Sequence, residues 1–88
     1  MTVEQASATF AASAPSYQNI AGLTRKHYLL GDDGRTAGGV YLWESREAAE
    51  ALYDDEWKAR VTARYGAAPV VEYFASPVTV DPGQIVVG

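Results

Sequence analysis

The sequence predicts one small α+β domain in which an antiparallel sheet carries two main helices on one face. Three observations carry that reading. Helical periodicity opens the chain behind a capping signal, two β-rich runs meet at a Gly/Asp turn, and a second helical stretch precedes a further β-rich run. The chain has 88 residues, the size of one domain (1–88). A domain this short covers only roughly 60–65 % of its unfolded surface, and association with a second copy is the common remedy.

The elements follow in order. Thr2 caps a first helix, with Gln5 three residues on to close a capping box. Val3, Ala6, Phe10, Ala14 and Tyr17 fall at helical spacing and mark its buried stripe. Pro15 ends regular helix near Ala14, because the residue before a proline is pushed out of the α region. Leu23–Leu30 and Thr36–Glu44 are strand-like runs joined by Gly31-Asp32-Asp33-Gly34, an antiparallel hairpin signal. Gly38 and Gly39 lie inside the second run, where glycine marks a bulge, a close approach, or accommodation of a neighbouring helix. Ser45 caps a second helix with Ala48, Ala49 and Leu52 on its inner face. Asp54-Asp55-Glu56 suits a fresh helix N-terminus, and that segment continues through Trp57, Val61 and Tyr65 to a stop at Gly66. Val70–Val80 is a further strand with Pro77 at an edge or bend, Asp81-Pro82-Gly83 is a turn, and Gln84–Val87 a last extended piece.

That order is a ferredoxin-like βαββαβ chain whose opening strand is absent. The Pro-Gly turn brings Gln84–Val87 back antiparallel beside the preceding strand, into the slot left empty. Either the tail takes the missing strand's place, within one copy or across a dimer, or the true start lies upstream.

Charge and composition narrow the function. A net charge of −4 and a pI near 4.7 speak against nucleic acid, which needs clustered Lys and Arg. No apolar run spans a membrane and no leader is read, so a cytoplasmic location is the default expectation. One histidine and no cysteine leave only carboxylates as ligands, so no metal is expected. No glycine-rich phosphate loop is present either, and no cofactor is expected.

Ala21-Gly22-Leu23 with Lys26, the run Gly38-Gly39-Val40-Tyr41-Leu42-Trp43-Glu44-Ser45, Tyr65-Gly66 and the stretch around Val70–Phe74 resemble the YdhR-like monooxygenase family. That family belongs to the dimeric α/β-barrel superfamily. The resemblance spans nearly everything from Glu4 to Asp81, and the Gly-Gly-Val-Tyr-Leu-Trp-Glu-Ser run is its most specific part. It implies a homodimer with two sheets face to face, and in each copy a small-molecule pocket between sheet and helices. It also implies that Trp43 looks towards the helices and that Val40 and Leu42 look towards the partner.

Candidate site residues follow from that frame. Alternation places Tyr41 and Trp43 on one face, with two small glycines beside them to leave room for a guest. Tyr28, Tyr53, Trp57 and Phe74 are further candidates for the wall, although aromatic stripes also make ordinary core. His27 is the only histidine and so the natural candidate base, with Arg25 alternating beside it to meet an anionic oxygen. Whether His27 shares a face with Trp43 depends on hairpin register; a slip by one residue substitutes Lys26 and Tyr28. The expected function is a cofactor-independent monooxygenase acting on a small aromatic or polyketide-like molecule. A non-catalytic dimeric binding or accessory protein, and an isomerase or cyclase using the same pocket, are the alternatives.

Overall fold

The computed structural model describes residues 1–87. Its elements are α1 (Val3–Ser13), a 3-10 turn (Ala14–Tyr17), β1 (Leu23–Leu30), β2 (Ala37–Trp43), α2 (Arg46–Leu52), α3 (Asp55–Tyr65), β3 (Val78–Asp81) and β4 (Gln84–Val87). The protein is a small α+β molecule; the described residues form three α-helices and two separate two-stranded antiparallel sheets, β1–β2 and β3–β4.

Local chemistry sets most boundaries. Thr2 Oγ1 accepts the Gln5 N–H at 3.1 Å while Gln5 Oε1 accepts the Thr2 N–H at 2.8 Å, a complete capping box. Regular helix stops at Ser13, and Pro15 sits in the 3-10 turn that follows. Ser45 accepts the Ala48 N–H at 3.1 Å and Asp54 accepts the Trp57 N–H at 2.8 Å. Two caps within ten residues make α2 and α3 two short helices rather than one. Gly66 closes α3 in the left-handed region at φ +78°. At Gly22, φ is +80° and an added Cβ would lie 2.5 Å from the Ala48 Cβ, so glycine lets α2 approach the start of β1.

The hairpin register decides what the site contains. Leu30 pairs with Ala37, Tyr28 with Gly39, His27 with Val40 and Lys26 with Tyr41; an irregularity between Leu23 and Arg25 then brings Leu23 opposite Trp43. Paired residues share a face. Lys26, Tyr28, Tyr41 and Trp43 therefore point inward and are half-buried, while Arg25, His27, Leu29, Val40 and Leu42 point outward and are exposed.

Three expectations need correction. Val3 is 70 % exposed and Ala14 is exposed too, so only Ala6, Phe10 and Tyr17 carry the inner stripe of the first segment. The stretch Val70–Val80 is strand only from Val78 onward. Extended chain becomes sheet by pairing, residues 70–76 lie beside no other strand, and Pro77 has no N–H to offer. The tail does turn back through Pro82 and Gly83 (φ +82°) and pairs antiparallel, Val78 with Val87 through Asp81 with Gln84. It pairs with β3 alone, however, and within this one chain it does not fill a slot beside β1–β2.

The core is correspondingly thin. Among the described residues the buried apolar side chains are Ala6, Ala49 and Trp57. Among the described residues no helix is long and apolar enough to cross a membrane.

Candidate functional site

The inward face of β1–β2, the 3-10 turn, α3 and the extended residues 67–76 enclose an open cleft of about 2060 Å³. That exceeds the roughly 300–1,000 Å³ of a closed small-ligand site because residues 70–76 stand off from the hairpin instead of pairing with it.

Aromatic rings form its floor and walls. Tyr41 and Trp43 lie parallel with centroids 6.3 Å apart, and Tyr53 meets both edge-on at 5.5 and 5.8 Å. The Trp43 Nε1–H donates to Tyr53 Oη at 3.2 Å, and the Trp57 Nε1–H donates to Tyr17 Oη at 2.9 Å. Both indole N–H groups thus have a partner, and the bonds orient the rings. Phe10 stacks on Tyr28 at 4.8 Å, and Tyr28 shares a 2.7 Å hydrogen bond with Ser13. The two glycines serve unequally. A Cβ on Gly38 would meet nothing within 4 Å, whereas one on Gly39 would press on the Tyr41 ring at 3.0 Å and the His27 carbonyl at 3.2 Å. The ladder runs without interruption through both, so Gly39 marks a close approach by Tyr41 and not a bulge.

Lys26 is the amine of this cleft. Its Nζ stands 3.3 Å from the centroid of Tyr17, 3.8 Å from that of Tyr28 and 4.6 Å from that of Tyr41. The two ion pairs among the described residues are Arg46–Glu50 and Arg60–Glu56, and neither involves Lys26. Burial, with the positive charge of Arg64 behind it, lowers the Lys26 ammonium to about 7. The three ring faces act against that shift, since an aromatic quadrupole favours the cation. Burial likewise pushes the hydroxyls of Tyr28, Tyr41, Tyr53 and Tyr65 upward, so all four stay protonated near neutrality.

The residues expected at the site divide cleanly. Tyr28, Tyr41, Trp43, Tyr53, Trp57 and Phe74 all line the cleft. Trp57 belongs more to the core, at 5 % exposure, and Phe74 stands at the outer lip, at 83 %. His27 and Arg25 lie on the opposite face of the hairpin and do not reach it. Sequence reasoning ranked them above Lys26 because histidine has the better ordinary pKa; the register reverses that order. Tyr17 and Tyr65 were expected as helix residues, and Arg64 and Tyr73 carried no local signal, yet all four line the cleft. Among the described residues no cluster of His, Asp or Glu could hold a metal ion.

The arrangement can hold a flat molecule among ring faces and exchange a proton with it through one amine. Compared with protein-family models, with curated proteins and with solved structures, the chain matches none of them.

Proposed function

We propose that the chain binds a small aromatic or polyketide-like molecule in this cleft and oxidises it without a cofactor, Lys26 receiving the proton. The observation that carries this reading is the half-buried Lys26 amine, held against three tyrosine rings and in neither ion pair among the described residues. An amine titrating near neutrality is part free base at pH 7 and suits proton abstraction. Removing a proton from an activated ring carbon leaves a carbanion that adds to dioxygen. The hydroperoxide so formed loses water and leaves a carbonyl: a CH₂ and O₂ become C=O and H₂O. Resemblance to the YdhR-like family supports the oxygenase chemistry, and the aromatic walls support the substrate class.

Surface area supports a homodimer of the barrel type. One copy exposes 6778 Å². A self-contained monomer of 9.5 kDa exposes roughly 5,000 Å². Its radius of gyration is 14.3 Å, against roughly 12 Å for a compact chain of this length. The surplus matches what an obligate interface buries from each partner. A second copy would cover Leu29, Val40 and Leu42 on the outer sheet face, and would extend the sheet at the β3–β4 hairpin.

Oxygen consumption with anthrones, hydroquinones and small phenols tests the chemistry. Turnover should fall by about 10²-fold or more in Lys26→Met and persist in His27→Ala, whose side chain lies outside the cleft. Binding of the same compounds without oxygen uptake would favour the accessory-protein alternative. Full turnover in Lys26→Met would remove Lys26 from the role.

A further inference from the structure

The cleft has a charge bias that the whole chain does not. The protein carries 7 Lys and Arg against 11 Asp and Glu. Lys26, Arg35, Arg46, Arg60 and Arg64 line the cleft, and the one acid among its lining residues is Glu72. Five of the seven Lys and Arg of an acidic protein thus border one concavity, and ten of its eleven Asp and Glu are outside its lining.

Part of that charge is already matched. Arg46 meets Glu50 at 2.9 Å and Arg60 meets Glu56 at 3.2 Å, both along exposed helix surface. Arg46 also lies over the Tyr73 ring at 4.2 Å. Lys26 and Arg64 are in neither ion pair, and they are close enough for Arg64 to depress the Lys26 ammonium. Two like charges lining one cleft beside apolar walls repel each other until an anion arrives. The groups around the amine are Tyr17 on the 3-10 turn, Tyr28 on β1, Tyr41 on β2 and Arg64 on α3. None of these is a carboxylate.

We propose that the cleft selects an anionic aromatic ligand, a planar ring bearing a carboxylate or an ionised phenol, whose negative group is held by Lys26 and Arg64 while Trp43 and Tyr53 take the ring. This rests on the small-molecule binding read above and not on the oxidation: with a carboxylate bound, Lys26 is an ammonium that accepts no proton, so such a ligand occupies the cleft without turnover. Neutral ring systems gain only the aromatic walls. Cationic ones are repelled. An arriving anion also returns Lys26 to its charged form, so binding between pH 7 and 8 draws a proton from solution.

Three naphthalenes of matched size separate the possibilities: 2-naphthoate, 2-naphthalenemethanol and 2-naphthylmethylammonium. Calorimetry on the full chain should find naphthoate roughly tenfold or more tighter than the alcohol, and the ammonium weakest. Heats in buffers of different ionisation enthalpy should show fractional proton uptake with naphthoate at pH 7.5 and almost none at pH 5.5. Lys26→Met should abolish the uptake and, like Arg64→Gln, shrink the preference for the anion. Lys58→Gln removes the same charge outside the cleft and should change neither. Circular dichroism identifies any variant that has unfolded, and the comparison of the three ligands on the unmodified chain needs no variant. An alcohol bound as tightly as naphthoate would overturn anion selection and leave the aromatic cleft standing. If none of the three binds, the small-molecule reading falls as well.

Discussion

Residues 1–65 and residues 67–87 have comparable means of packing and opposite outcomes. The first stretch contains every buried side chain described, Ala6, Ala49 and Trp57, together with nearly all the ring contacts. The second is rich in Val and Ile, yet Val70, Phe74 and Val87 are 88, 83 and 78 % exposed. Every residue of β3 and β4 is exposed, and the hairpin they form stands on its own ladder. An isolated two-stranded hairpin is marginal in water. Apolar β-formers thus state what a segment can do, and a neighbouring strand or surface determines whether it does so. In the first stretch the helices supply that surface. In the second, a partner copy is the proposed supplier.

Truncating one large ring in each region tests the contrast most severely. Trp57→Ala removes a buried indole whose Nε1–H donates to Tyr17, and should cost about 3–5 kcal/mol in denaturant unfolding. For a domain whose total stability is of order 5–15 kcal/mol, that leaves little. At protein dilutions that hold single copies, Phe74→Ala should cost no more than about 0.5 kcal/mol, as at an ordinary surface position. Equal losses at the two positions would erase the distinction between the regions.

Removing residues 84–88 is the next largest change, and it bears on the dimer. The unmodified chain should melt with a midpoint that rises with protein concentration, because association stabilises the folded copy. Without β4 the exposed edge of β3 loses its partner and the surface offered to a second copy shrinks. Cooperative unfolding and the concentration dependence should both disappear. A shortened chain with an unchanged melting curve would show that the arm is an appendage and that the excess surface has another cause.

What the sequence revealed follows the same division. Thr2 with Gln5, Ser45, Asp54 and Gly66 act within four residues of themselves, and each stands where its local chemistry predicts. The strand Leu23–Leu30 was legible for the same reason, being bounded by glycines. Register was not. Alternation marks two faces of β1 without saying which one faces Trp43, and only the Leu30–Ala37 pairing across the turn, with the irregularity near Leu23, resolves it in favour of Lys26 over His27. The site suffered most, because Arg64 and Tyr73 reach the cleft from segments far away in sequence. Val70–Ser76 failed differently: its propensity for strand is sound, and the neighbour is missing.

The smallest expected effect is the pH dependence of stability, and it too separates the cleft from the arm. Lys26 titrates at about 7 in the folded chain against 10.5 when unfolded. Between those values the unfolded chain binds a proton that the folded chain has released, so stability should rise with pH across that window. The buried tyrosines work in the other direction. Tyr28, Tyr41, Tyr53 and Tyr65 hold their protons above the ordinary 10.0, so the unfolded chain loses them first and stability should fall above pH 10. The expected profile climbs from neutrality, turns over near pH 10 and declines. Water reaches the half-open ammonium and mutes the climb, which is why it ranks last. Lys26→Met should flatten the rising limb and keep the fall, whereas substitutions in residues 78–87 should move neither limb. A Lys26→Met chain that climbs as steeply as the original would mean that the amine is already fully solvated, with no desolvated lysine left to accept a proton.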